Sequence, residues 1–229
     1  MSTLLVSPHS DDIAIAAGHL VVSNYMPKPL HLITIFSISN WVEPSWVINV
    51  NDRAITQIRL KEDQEFCTLI DAKFHTGNLE DCAMRYGTAL FEPEIPIDLE
   101  IVTTIQNKLE AVIREERIKV IVVQFPHGSQ QHLDHRMVCS ATSFVSLQHN
   151  LELIFIDDLP YSRIPISTTV CHPNGNSMIP NIVKLSDKDL MQKHEKMRIY
   201  ASQMCEEYFD STTMHLLPEH PYNSESFWR

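Results

Sequence analysis

Short apolar runs alternate with longer amphipathic stretches along most of this chain. The apolar runs show no regular polar alternation, which is typical of strands that are buried on both faces of a sheet. They predict strands at 4–7, 30–36, 73–76, 119–125 and 153–156. The clearest of these strands contains the run Val120-Ile121-Val122-Val123.

The amphipathic stretches predict helices that lie between and after these strands. They cover 12–24, 51–70, 97–116, 134–147 and 186–204. The helix at 97–116 has the strongest pattern, because Ile101, Ile105 and Leu109 recur at helical spacing. Strands that alternate with helices indicate an α/β fold with a mostly parallel sheet and helices on both faces.

Three stretches have no clear period, and we expect them to be loops that shape any pocket. They are 37–51, 77–96 and 160–180. The first contains Trp41 and Trp46. These two indoles are interpreted either as an aromatic platform for a sugar ring or as packing groups that hold the loop in place.

Composition limits the classes of partner and the compartment. The chain has 229 residues, which suits one domain, and its net charge of −11 argues against nucleic acid or an anionic membrane as the main partner. No apolar run approaches the roughly 18–20 residues of a membrane span, and no signal peptide is apparent. Five scattered cysteines without a Cys-x-x-Cys pair favour reduced thiols and a cytoplasmic protein. The sequence leaves open whether the chain forms a homo-oligomer.

Several common catalytic motifs are missing from the sequence. No Gly-x-Gly-x-x-Gly follows the first strand, and no Gly-Lys-Ser/Thr loop occurs, so a dinucleotide or Walker-type phosphate site is not expected. The sequence also lacks the Gly-x-Ser-x-Gly turn that carries the nucleophile of α/β serine hydrolases.

Two clusters of histidine and aspartate each follow a predicted strand, where the chain turns into a helix. Their members are His9, Asp11, Asp12, His132, Asp134 and His135. The carboxyl ends of parallel strands meet at one edge of a sheet, so we expect both clusters to face one crevice. Imidazole and carboxylate groups are zinc ligands, and three of them with one water form a typical catalytic site. For the first cluster alone, helix capping by Asp11 or Asp12 is the alternative.

The two clusters resemble a known family. Pro8-His9-Ser10-Asp11-Asp12 is similar to the Pro-His-x-Asp-Asp motif of the LmbE-like, or PIG-L, N-deacetylases, and His132-Leu133-Asp134-His135 is similar to their His-Pro-Asp-His motif. Three further stretches support the resemblance. Arg59-Leu60-Lys61-Glu62 looks like the family's Arg-x-x-Glu, Ser202-Gln203 like the end of its late helix, and Glu225-Ser226-Phe227 like its C-terminal Glu-x-Phe.

This resemblance implies a Rossmann-like three-layer sandwich, with one domain over 1–229 and a metal site at the carboxyl ends of the strands. It assigns the metal ligands to His9, Asp12 and His135. The implied metal is zinc, and a His/Asp donor set also accepts another divalent metal such as Fe²⁺.

The resemblance also implies roles for other residues. Asp11 would be the general base that takes a proton from the activated water. His132 would steady the oxyanion and help to protonate the leaving amine, with Asp134 orienting His132. Arg59 would contact the substrate, and an ordinary salt bridge with a carboxylate of its own helix is the alternative.

The implied reaction is zinc-dependent removal of an acetyl group from the amide nitrogen of a small amino sugar, such as N-acetylglucosamine, or of a glycoconjugate. The residue types suit this chemistry, because zinc activates water and polarises a carbonyl while a nearby carboxylate accepts the proton. One alternative is hydrolysis of another small N-acyl amide by a deformylase or long-acyl deacylase. A non-catalytic metal- or ligand-binding relative is the other, and the presence of Asp11 and His132 argues against it.

Some positions depart from the family pattern or have other interpretations. Ile13 stands where the family usually has Glu, and Leu133 replaces the proline of the second motif. The resemblance therefore does not specify the groups around the metal ligands. His19 and His31 lie in apolar elements, where we expect packing in the core or at the sheet edge. His127 is interpreted either as a pocket residue or as a solvated loop residue.

Overall fold

The computed structural model describes residues 1–23, 25–43, 51–127, 130–159, 161, 170–204 and 224–229. The strands are β1 (Thr3–Ser7), β2 (Leu30–Thr34), β3 (Ala72–Thr76), β4 (Val120–Phe125), β5 (Glu152–Asp157), β6 (Val170–Cys171), β7 (Ser177–Met178), β8 (Pro180–Lys184) and β9 (Ser224–Trp228). The helices are α1 (Asp12–Ala17), α2 (Asp52–Ile70), α3 (Cys82–Tyr86), α4 (Leu99–Glu116), α5 (Leu133–Gln148) and α6 (Asp187–Met197), which a 3₁₀ helix (Arg198–Tyr200) follows.

The central sheet has seven strands in the order β3-β2-β1-β4-β5-β9-β8. The first five in this order are parallel, and β9 and β8 are added antiparallel at one side. The predicted mostly parallel sheet is therefore confirmed. β6 and β7 pair with each other in a separate two-stranded sheet.

The order of the strands reverses between β1 and β4. From β1 the chain moves outward through β2 to β3, and it then returns to place β4 on the other side of β1. Loops that leave two such strands diverge to opposite faces of the sheet and open a crevice at its carboxyl edge. The segments after β1 and β4 are the ones that carry the two His/Asp clusters, so the topology alone directs them to one crevice.

Two apolar cores flank the sheet, one on each face. Leu4 and Val6 of β1 pack with α4 and α5, whereas Leu5 between them packs with α1 and α2 on the opposite face. This alternation explains why the central strands are apolar throughout, since neither face meets water. The predicted Rossmann-like three-layer sandwich is confirmed.

Two predicted helices end earlier than their sequence pattern indicates. α1 was expected to reach residue 24 but ends at Ala17, and the N–H groups of His19 and Leu20 donate to the Glu225 carboxylate at 2.8–3.2 Å. In the stretch 186–204, α6 ends at Met197, and the N–H of Ser202 donates to the carboxylate of Glu62 at 2.8 Å. In both places a buried carboxylate accepts hydrogen bonds from backbone N–H groups that would donate to backbone carbonyls in a longer helix.

Several short elements lie in stretches without a period. α3 lies in 77–96 and is capped by Asp81, whose side chain accepts a hydrogen bond from the N–H of Met84 at 2.9 Å. β6, β7 and the first residue of β8 lie in 160–180, and β9 lies near the C-terminal end. Elements of two to five residues are too short to show a helical or strand period. No described helix has both the length and the apolar character that a membrane crossing requires.

Asp63 connects α2 to β2 and to the segment after α6. Its carboxylate accepts hydrogen bonds from Thr34 Oγ1 at 2.9 Å and from Tyr200 Oη at 3.1 Å. Burial raises the pKa of Asp63 to about 8, although these hydrogen bonds and the charge of Arg59 act in the opposite direction. Asp63 is therefore protonated in the folded protein at neutral pH, whereas an aspartate in the unfolded chain ionises near pH 4.

We expect Asp63→Asn to stabilise the protein increasingly as the pH rises. Because the folded-state pKa is raised, folding of the wild type requires proton uptake between about pH 4 and about pH 8, and this cost grows across that window. The variant has no such cost. Its gain in free energy of unfolding should grow from about pH 4 and level off above about pH 8. Urea unfolding across this range measures it. The exposed Asp71→Asn at the end of the same helix is the control, and a pH-independent difference for Asp63→Asn would contradict the assignment.

Candidate active site

The three predicted ligands bring their donor atoms together at the carboxyl edge of β1 and β4. His9 Nδ1 lies 3.3 Å from Asp12 Oδ2 and 3.2 Å from His135 Nε2, and the Asp12 and His135 atoms are 3.3 Å apart. Donor atoms held tetrahedrally at about 2.0–2.1 Å from one zinc ion lie about 3.3–3.4 Å apart. The donor set therefore fits a divalent metal.

Local structure explains how these side chains reach the crevice. His9 lies in the turn between β1 and α1, and its N–H donates to Asp12 Oδ2 at 2.7 Å, which closes the turn. His135 is the third residue of α5 and is fully buried. Asp11 occupies the N-cap position of α1, but its side chain makes no capping hydrogen bond. The helix-capping alternative for Asp11 therefore receives no support.

The second ring nitrogen of each histidine predicted to be a ligand contacts a carboxylate. His9 Nε2 lies 2.9 Å from Asp134 Oδ2, and His135 Nδ1 lies 2.6 Å from Asp158 Oδ1. Histidines that bind metals in proteins usually donate their other N–H to such an acceptor, which fixes the tautomer and the ring orientation. With these partners, His9 directs Nδ1 and His135 directs Nε2 toward Asp12.

The side chain of Asp134 contacts a different histidine from the one expected. Its carboxylate was expected to orient His132, but it accepts hydrogen bonds from the N–H of Cys82 at 2.8 Å and from Arg85, and it contacts His9. The backbone N–H of Asp134 instead donates to Nδ1 of His132 at 3.2 Å. Asp134 thus orients His9 through its side chain and His132 through its backbone N–H.

Two groups that support the site were not among the sequence candidates. Asp158 follows β5, and the pair Asp157-Asp158 at the carboxyl end of a predicted strand was the signal that could have indicated it. Arg85 lies in α3, which is too short to show a period. His127 pairs with Asp157 at 3.0 Å and does not line the cavity, so its interpretation as a pocket residue is not supported.

The electrostatics of the centre favour positive charge. Burial acts against the charged form of His9, but Asp12 and Asp134 outweigh it and raise the pKa of His9 to about 9. Burial is likewise outweighed at His135, whose pKa lies well above its usual range because of Asp12 and Asp158. Burial tends to raise the pKa of Asp134, but hydrogen bonding to His9 holds it at about 2. Buried carboxylates of this kind need a cation, either a proton or a metal ion.

The pKa values of His132 and Asp11 shift in the opposite directions from those of the other histidines of the site and of the aspartates that pair with His9. Burial and the positive charges of His9 and His135 hold the pKa of His132 well below its usual value, so the ring is neutral. Since Nδ1 of this ring accepts a hydrogen bond, the proton lies on Nε2. Burial and the charge of Asp12 raise the pKa of Asp11. The site therefore combines a neutral donor with a comparatively basic carboxylate.

A cavity of about 320 Å³ opens above these groups. Its walls include the predicted residues His9, Asp11, Asp12, His132 and Arg59. Residues from the three irregular stretches complete the walls, among them Trp41, Asp81, Phe91 and Tyr161. The expectation that these stretches shape the pocket is thus confirmed for the described residues.

Arg59 and Trp41 form one side of the cavity. Arg59 is buried, and its Nη1 donates to Ser39 Oγ at 2.6 Å and to the carbonyl of Trp41 at 3.4 Å. The indole of Trp41 is 44% exposed while lining the cavity. The arginine therefore holds the segment that presents the indole. Trp46 lies outside the described residues.

Ile13 has a structural explanation. It is 1% exposed and packs in the apolar core on the α1 and α2 face, beside Leu5 and Phe66. It does not line the cavity. At this position the chain therefore contributes to the core and not to the surroundings of the predicted metal ligands.

The fold and the donor set define an α/β protein with a buried His-Asp-His site at the topological switch of its sheet. The sequence matches the PIG-L family, described as GlcNAc-PI de-N-acetylase, over residues 4–145, which is more than half of the chain. The protein belongs to this family. The predicted family is confirmed, and the prediction of a hydrolytic N-deacetylase agrees with it.

The matches to similar proteins extend over almost the whole chain. The chain is 25% identical over 219 residues to 2'-N-acetylparomamine deacetylase of Streptomyces fradiae, a match that covers 93% of this chain and 77% of that protein. A deacetylase of the teicoplanin biosynthesis pathway has a similar structure, with a TM-score of 0.74, 19% identity and coverage of 100% and 97%. N,N'-diacetylchitobiose deacetylase from Pyrococcus horikoshii is also similar, with a TM-score of 0.57, 18% identity and coverage of 94% and 75%.

We expect Asp158→Asn to weaken zinc binding about 10- to 100-fold, because the variant loses the charged acceptor that orients His135. Titration against a chromophoric chelator measures the affinity. The matched control is Asp157→Asn, which changes the neighbouring carboxylate that pairs with His127. Equal zinc affinities of the two variants would contradict the role of Asp158.

Proposed function

We propose that this protein is a zinc-dependent hydrolase that removes the acetyl group from the amide nitrogen of an N-acetylated amino sugar or of a small glycoconjugate. One observation carries the proposal. The His9-Asp12-His135 donor set, with both histidines backed by carboxylates, meets a cavity that Asp11 and His132 also line. The family match and the relative that deacetylates N-acetylparomamine support the reaction and the substrate class.

The metal would be held by His9, Asp12 and His135. Two imidazoles and one carboxylate suit Zn²⁺, and Fe²⁺ is an alternative that the same donors accept. When bound, a divalent metal polarises the amide carbonyl and lowers the pKa of water.

Asp11 is our candidate for the general base. It lines the cavity next to Asp12, and no capping bond occupies its carboxylate. Water attacks the amide carbon, and one of its protons moves to Asp11. When the C–N bond breaks, the electron pair stays on nitrogen, which takes a proton from Asp11. The products are acetic acid and the free amine, and the acid then ionises to acetate by releasing its proton to the amine or to solvent, so atoms and charges balance.

His132 stabilises the carbonyl oxygen as it becomes negative. Its neutral ring carries the proton on Nε2, and the backbone N–H of Asp134 holds the other nitrogen. Such a donor is useful because it is oriented before the reaction begins. We keep His132 as this hydrogen-bond donor and assign delivery of the proton to the amine to Asp11, since a neutral imidazole is a poor acid.

The walls of the cavity suit a sugar ring. Trp41, Phe91 and Tyr161 supply aromatic faces, which pack well against the C–H face of a ring while its hydroxyl groups meet polar residues. Arg59 sets the position of the Trp41 segment and lines the same cavity, so it would contact the substrate from that side.

The compartment and the domain organisation are further parts of the proposal. Cys67, Cys82 and Cys139 are buried free thiols, which suits a reducing cytoplasm. The central sheet joins β1, the first strand, with β9, the last described strand, which supports one domain over 1–229.

Acetate release tests the function directly. Purified protein is incubated with N-acetylglucosamine, N-acetylated aminoglycosides and diacetylchitobiose, with zinc or with a chelator. We expect release from at least one of these compounds, loss of release with the chelator and recovery on addition of metal. Release that persists without metal would contradict the mechanism. Hydrolysis of formyl or long-chain N-acyl amides alone, without acetate release from the sugars, would favour the alternative of a deformylase or long-acyl deacylase.

We expect Asp11→Asn to lower kcat about 10²- to 10⁴-fold, because an amide cannot accept the proton from water. Metal content should remain at the wild-type level, since Asp11 is not among the three ligands. Elemental analysis and acetate release under the same conditions check both parts. Turnover close to the wild-type rate would remove Asp11 as the base.

A further inference from the structure

A second group of metal-binding side chains lies at the β3 side of the sheet. His31 of β2, His75 of β3 and Glu116 at the end of α4 bring their donor atoms within 4.8 Å of one another. His31 Nδ1 and His75 Nε2 are 3.4 Å apart. Each oxygen of Glu116 faces a different histidine. Oε2 lies 3.8 Å from His31 Nδ1, and Oε1 lies 3.9 Å from His75 Nε2.

The fold itself brings these residues together. β2 and β3 pair in parallel with Ile33 opposite His75, so His31 and His75 emerge on the same face of the sheet, two positions apart. Their rings are stacked with centroids 5.6 Å apart. α4 crosses this face, and Ser2 Oγ donates to the carbonyls of Glu116 and Arg117, which fixes the end of the helix beside the strands.

This group is separate from the candidate active site. His31 is the second residue of β2, whereas the active-site residues follow the last residues of β1 and β4. The cavity above the active site is not lined by His31, His75 or Glu116. The inference therefore does not depend on the proposed function.

We propose that His31, His75 and Glu116 form a second site for a divalent metal of the zinc class, which ties the edge strand β3 to the end of α4. Two imidazoles and one carboxylate are a common set of zinc ligands. Ligand atoms around one zinc ion lie about 3.3–3.5 Å apart. The two histidine nitrogens already have this spacing at 3.4 Å, so closure of the site requires mainly that the Glu116 carboxylate move closer to both rings. The His75 and Glu116 side chains are 12% and 15% exposed, so an ion can enter from solvent.

The competing interaction at this site is an ion pair between Lys73 and Glu116. Without a metal, this pair stays in place, and the two histidines contact each other at 3.4 Å and face the Glu116 carboxylate. Lys73 is 55% exposed, and its ammonium already lies 3.7 Å from the neighbouring Glu115. A metal ion can therefore displace Lys73 to Glu115 without leaving a buried charge unpaired.

Metal content of the dialysed full-length protein tests the proposal. We expect two zinc equivalents in the wild type and one in His75→Gln, with acetate release by His75→Gln unchanged. His135→Ala should also hold one equivalent, because it retains the second site. The control Glu115→Gln alters an adjacent carboxylate outside the site and should keep both equivalents.

A second measurement uses His135→Ala, in which the candidate active site is disabled. Zinc should raise its thermal unfolding temperature, and adding His75→Gln should abolish this shift. Adding Lys73→Met should instead increase the zinc affinity severalfold, because the competing ammonium is gone. No zinc-dependent shift in His135→Ala, together with unchanged zinc content in His75→Gln, would overturn the proposal. If the wild type releases no acetate, that result would contradict only the proposed function and not the second metal site.

Discussion

This structure depends on one constraint: each carboxylate that is buried must keep a positively charged or hydrogen-bonding partner. Asp12, Asp134 and Asp158 lie below the surface between β1, β4 and β5, and each is held by a histidine. Removing a carboxylate from water is costly unless positive charge or hydrogen bonds replace the lost solvation. The switch in strand order allows two separate chain segments to supply that compensation at one point. The same arrangement that gives each carboxylate a histidine partner also leaves three donor atoms directed at each other.

The same constraint operates away from the site, where backbone N–H groups, a hydroxyl group and one lysine stabilise the buried carboxylates. Glu62 accepts hydrogen bonds from the backbone and hydroxyl of Ser202, and Glu225 accepts from the backbone of His19 and Leu20 and pairs with Lys193. These residues belong to the three supporting stretches of the family resemblance. These contacts hold the segments after α1 and α6 in position, whereas Arg59 and Gln203 of the same stretches line the cavity. In this chain those stretches therefore maintain the framework around the site and also form part of its wall.

Much of this organisation could be predicted from local sequence. The apolar runs located the five parallel strands, and the two His/Asp clusters were expected to share a crevice because both follow strands of one sheet. What could not be predicted depends on contacts between distant segments. The end of α1 depends on Glu225, more than two hundred positions away, and the partner of the Asp134 side chain is His9. Asp158 carried a local signal, but only the packing of β5 against β4 shows that it reaches His135.

The position of β9 has a consequence for the order in which the molecule can be completed. This strand is made near the end of the chain, yet it is inserted between β5 and β8, and its Glu225 accepts the N–H groups just beyond α1. Synthesis proceeds from the N-terminus, so the turn that follows the first helix waits for this partner until Glu225 has left the ribosome. The element beside the first His/Asp cluster is thus made long before the strand that supplies its last hydrogen-bond acceptor.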